Sequence, residues 1–112
     1  MKSHIPATRT AYLEAARKLS ALIMAAALPA GKVVASTANL ETKLAVLAKL
    51  KSSDPETKVR AANEVSFNEA ALHYEVLALF DSVNEINAAM QAVAETKTRF
   101  ESAKSIERHA AE

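Results

Sequence analysis

The sequence predicts an all-α protein: a small helical bundle or helical hairpin with one long, heptad-patterned C-terminal helix and no strands. Three observations carry that reading. Alanine fills 25 of the 112 positions and leucine 11, and both favour helix. Breakers are few, with Pro6, Pro29, Gly31 and Pro55 supplying all the proline and glycine. From Leu72 onward apolar residues recur at spacings of four and three, the mark of a helix face. No run shows the period of two that a strand needs.

The elements follow in chain order. Pro6 and Thr8 open a first helix over about 8–28, with Tyr12, Ala16, Leu19, Ile23 and Ala26 on one stripe. Leu28-Pro29-Ala30-Gly31 is expected to end it, because proline removes a backbone donor and glycine tolerates a left-handed exit. A second helix over about 33–51 carries the stripe Val33, Leu40, Leu44 and Leu47. Lys49 and Lys51 sit in its last turn, where positive charge suits the helix dipole.

Ser52-Ser53-Asp54-Pro55-Glu56 predicts the next helix start. Asp54 can cap, Pro55 suits the first position and Glu56 places negative charge in the first turn. Helices are expected over about 55–65 and 67–109, either separate or continuous. Ser66 with Glu69, and Ser82 with Glu85, have capping-box form and offer restart points. All of these elements belong to one helical domain, residues 1–112.

The heptad signal is strongest in the last helix. Leu72, Val76, Leu79, Val83, Ile86, Met90 and Val93 alternate spacings of four and three, and Phe100 returns one heptad later. The flanks of this stripe are Glu75, Phe80, Ser82, Asn87, Ala89, Ala94 and Thr96. A two-stranded coiled coil favours charge on its flanks. Small and apolar residues there make the face wide, as in a bundle with more than one neighbour. A helix from Phe67 to His109 would be about 63 Å long at the usual rise, against a radius of gyration of about 13 Å for a compact domain of this size. The segment therefore either folds back near Asp81 or offers its apolar face to another chain.

Composition excludes several function classes. Without cysteine there is no disulfide scaffold, thiolate site or cysteine nucleophile. A single glycine cannot build a phosphate-cradling loop, and no serine lies in a nucleophile elbow. His73 and Glu69 share a helix face, with Glu75 nearby, but the paired Glu-x-x-His elements of a bundle metal site are missing. Arg60, Lys97, Arg99, Lys104 and Arg108 converge on no point that the spacing reveals. The expectation is a non-enzymatic protein with no catalytic residues, no metal site and no cofactor.

Charge is uneven along the chain. Residues 1–52 carry eight Lys/Arg against two Glu, for +6, and residues 53–112 carry six against eleven Asp/Glu, for −5. Halves of opposite sign suit packing on each other or an antiparallel assembly.

The function read from these features is a helical protein–protein interaction module, self-associating or binding a partner helix. Its expected interface is Leu72, Val76, Leu79, Phe80, Val83, Ile86, Met90, Val93 and Phe100. Two alternatives remain. One is an exported helical subunit: Lys2, Arg9, Arg17 and Lys18 precede an apolar run from Ala21 to Pro29, and removal of residues 1 to about 30–36 would follow the logic of a secretory leader. The other is a weak nucleic-acid or anion binder using Arg9, Arg17, Lys18, Lys32, Lys43, Lys49 and Lys51, with only Tyr12 available in that half to stack on a base. The preferred reading is cytoplasmic, with nucleic acid disfavoured and no membrane span, since no apolar run approaches about 20 residues.

Overall fold

The computed structural model describes residues 4–50 and 54–111. Two helices make up the fold: α1, Ile5–Lys49, and α2, Pro55–Ala111. The chain reverses between them to form a helical hairpin, and no strand occurs among the described residues. Lys51, Ser52 and Ser53, invoked above for the helix end, the turn and anion binding, lie outside the described residues.

The turn is built as its residues dictate. The Thr57 amide donates to Asp54 Oδ1 at 2.9 Å, and the Lys58 amide donates to the Asp54 carbonyl at 3.1 Å. Asp54 is thus the N-cap, with Pro55 and Glu56 in the first turn. The bonds from Thr57 hold its carboxyl below its ordinary value of 3.8. A depressed carboxylate contributes stability above its unfolded pKa and loses it as pH falls through the folded value. Asp54→Ala is therefore expected to lower the melting temperature at pH 7. Asp54→Asn, which keeps an acceptor, should retain most of the cap while removing its acid dependence below pH 3.8; thermal melts from pH 2 to 7 test both.

Two expected helices, 8–28 and 33–51, are one. Pro29 lies inside α1, and neither it nor Gly31 adopts a positive φ. The expectation failed because the breaker rule weighs one lost bond against an isolated helix. Here residues on both sides of Pro29 pack on a neighbouring helix, and that packing offsets the loss. A β-carbon at Gly31 would meet nothing within 4 Å. Gly31→Ala should therefore stabilise the protein by about 0.5–1 kcal/mol, which chemical denaturation would detect.

The expected helices 55–65 and 67–109 are also one. Ser66 and Ser82 lie within α2 rather than restarting it, and Ser82 donates to the Ala78 carbonyl at 3.4 Å. Nor does the chain fold back at Asp81.

Burial follows a heptad on each helix, with Ala16, Ala30, Ala71, Ala92 and Lys104 half-buried beside its two lines. We label the repeat a to g, with a and d inward. In α1 the a line is Ile5, Tyr12, Leu19, Ala26, Val33, Leu40 and Leu47, and the d line is Thr8, Ala15, Leu22, Pro29, Ser36 and Lys43, continued by Leu50 just past the helix end; all are half-buried. In α2 the a line is Val65, Leu72, Leu79, Ile86, Val93, Phe100 and Glu107, and the d line is Ala61, Asn68, Glu75, Ser82, Ala89, Thr96 and Ala103.

The d lines are the surprise. Glu75, Ser82, Ala89 and Thr96 were expected to flank the stripe, yet they turn inward, while Val76, Val83 and Met90 turn out. The d line of α2 holds three of the four described residues that are buried, Ala61, Ala89 and Ala103, whose small side chains two helices alone can cover. Two polar d residues of α2 bond to carbonyls one turn back. Asn68 donates to the Glu64 carbonyl at 2.7 Å and Thr96 to the Ala92 carbonyl at 2.7 Å.

Contacts divide the chain into two compact units, Met1–Ala25 with Val83–Glu112, and Ala26–Ser82. In the first, Tyr12 and Phe100 pair with ring centroids 6.0 Å apart, and Lys104 Nζ lies 4.6 Å from the Phe100 centroid. In the second, Lys43 bridges to Glu64 at 3.0 Å, a half-exposed pair of modest value. Among the described residues only Ala61, Val65, Ala89 and Ala103 are buried.

Candidate interaction surface

Two helices alone enclose no large side chain. The largest buried residue is Val65, and no described side chain is fully buried.

Of the exposed large apolar residues, Ile23, Leu44, Val76, Val83 and Met90 lie at e positions, and the rest are spread over b, c, f and g. In an antiparallel pair the e positions of both helices line one flank and the g positions line the other. The g flank is grooved and charged. In the first unit a groove of about 470 Å³ is lined by Ala15, Lys18, Leu22, Glu85, Ala89 and Ala92 among others. In the second unit Val46, Leu50, Ala61 and Glu64 line a smaller groove.

The e flank is different. In the first unit it carries Ala16 and Ile23 from α1 and Val83 and Met90 from α2, with Arg9 and Lys97 at one end. In the second it carries Ala30, Thr37 and Leu44 from α1 and Ala62, Glu69 and Val76 from α2. The most apolar stripe of α2 thus joins a to e, whereas the hairpin packs on a and d. One flank is left unpartnered.

The nine expected interface residues divide accordingly. Leu72, Leu79, Ile86, Val93 and Phe100 are half-buried in the hairpin's own seam. Val76, Phe80, Val83 and Met90 are exposed by 44%, 61%, 41% and 53%. Heptad counting missed Phe67 and Tyr74, exposed by 75% and 71%, together with Leu77. These lie opposite the seam, and the signal that could have found them is their identity, since large aromatics off the packing stripe have no intramolecular partner.

No group of three or more potential metal ligands occurs among the described residues. His73 stacks loosely on Tyr74, with centroids 6.0 Å apart.

One expectation about α1 needs correction. By length and composition α1 includes a stretch long and apolar enough to cross a membrane. The sequence reading stopped the apolar run at Pro29; because the helix continues, residues 19–31, which carry no charge, join the apolar residues beyond. A leader segment or a packed helix can share this composition. The chain matches no family model, and comparison with curated proteins and with solved structures returns no match.

Proposed function

We propose that this protein is a non-enzymatic, cytoplasmic helix–helix association module. Its exposed e positions, Val76 with Phe80 beside it in one unit and Val83 and Met90 in the other, are covered in use by another helical polypeptide. The observation that supports this reading is the phase of the packing. The second inward line of α2 is Ala61, Asn68, Glu75, Ser82, Ala89, Thr96 and Ala103, while Val76, Val83 and Met90 of the same helix are exposed. Covering a large apolar side chain contributes about 1.5–3 kcal/mol, so the flank is a standing drive to associate.

The test compares two substitutions by sedimentation and circular dichroism. Met90→Asp is expected to abolish association while helical content stays intact, and Lys18→Asp, on the g flank, to leave association unchanged. If Met90→Asp associates like the parent, the reading fails.

The uncharged stretch of α1 favours a second reading, a secretory leader at the N-terminus of an exported subunit. Intact-mass measurement on protein from its native host decides it: a mass lacking residues 1 to about 30–36 supports it, and an unprocessed N-terminus removes it.

A further inference from the structure

Within the Ala26–Ser82 unit one flank is apolar except at its middle. At about 100° per residue the b positions lie next outward from e on the same side of a helix. Val34 and Val59 at b, and Leu44 and Val76 at e, are exposed there, with Phe80 at b. Among the described residues the only Asp, Glu, Lys or Arg at the e and b positions of this unit are Glu41 and Glu69, both exposed.

The Lys43–Glu64 bridge sets the level of one helix against the other, and Val46 and Ala61 line one groove in the same register. Each step back along α1 is a step forward along α2. Glu41 is therefore level with Ser66, and Glu69 stands three residues, about 4.5 Å, further on. Neither acid has an ion-pair partner in its own chain among the described residues. Lys43 is engaged by Glu64, and His73, one turn from Glu69, lies against Tyr74.

We infer that the helix covering this flank is basic at its centre: an apolar stripe interrupted by arginine or lysine, seated between Glu41 and Glu69. The inference rests on the association proposed above and deepens it by naming the partner's chemistry. A wholly apolar stripe would take two carboxylates out of water unpaired, and an acidic one would add repulsion. Arginine suits the place best, because its planar fork can meet carboxylates on more than one side. Burial comes from either end, from Leu44 and Val59 toward the turn and from Val34, Val76 and Phe80 away from it. Val59 to Phe80 spans about 32 Å, the length of a helix of about 21 residues.

The probes are two dye-labelled synthetic helices of about 21 residues with leucine at a and d. They differ only at the central a position, arginine in one and glutamate in the other. Titrated with the full-length chain at low salt, the arginine helix is expected to bind at least about tenfold more tightly, and added salt to shrink the ratio. Glu41→Lys combined with Glu69→Lys should invert the preference. Both positions are exposed and off the a and d lines, so circular dichroism should show helical content unchanged. Equal binding of the two helices, or a preference that the lysine substitutions leave in place, overturns the basic partner. If neither helix binds, this flank is not the docking face and the inference falls, while association read through Met90→Asp is decided by its own test.

Discussion

Val83→Asp is expected to weaken association at least about 100-fold while leaving the hairpin folded. Val83 is 41% exposed and lies off the a and d lines, whereas its neighbours Ser82 and Ile86 turn inward. Replacing it removes apolar burial and places an unpaired carboxylate in the interface, together a loss of about 3 kcal/mol or more. Ile86→Asp is the informative comparison. Ile86 is half-buried on the a line, so a carboxylate there should unfold the hairpin and lower helical content. The account separates the two positions although they lie three residues apart on one helix. If both variants lose helicity equally, the assignment of Val83 to an outer flank is wrong. If both remain folded and associated, neither seam nor flank is where burial places it.

Pro29→Ala should produce the second large effect, a gain of up to about 3 kcal/mol in stability. Pro29 sits within α1 on the d line, half-buried. Its ring supplies no backbone donor, so the Ala25 carbonyl lacks its usual partner. Alanine restores the bond and is already the commonest residue in this chain. Denaturant titration would show the midpoint rise with its slope unchanged. A stability equal to or below that of the parent would mean that the proline shapes α1 in a way the packing requires.

Much of the fold was legible in the sequence. Alanine content, the absence of strand periodicity and the Asp54-Pro55-Glu56 start identified an all-α chain and placed its reversal. The repeat was legible too, since Leu72, Leu79, Ile86, Val93 and Phe100 form the a line of α2 as the spacing implied. What the spacing could not supply was the second inward line. Positions d and e lie on either side of a, one residue apart in sequence, and hydrophobicity alone selects e, where Val76, Val83 and Met90 stand. The hairpin turns d inward and buries Ala61, Ala89 and Ala103 there, and a hydrophobicity scale ranks those alanines below the valines and methionine at e. Pro29 was misjudged for a related reason: a local rule was applied to a helix supported along its length by a neighbour. The same mismatch between the most apolar stripe and the packed stripe exposes the candidate surface, so the missed phase and the proposed function are one observation.

The most direct measurement is light scattering coupled to size exclusion on the full-length chain over a concentration series, with Val83→Asp run in parallel. The parent is expected to show a mass above 12.0 kDa that falls toward the monomer on dilution, and Val83→Asp a monomer at every concentration. A parent and a variant with the same mass at every concentration would contradict it.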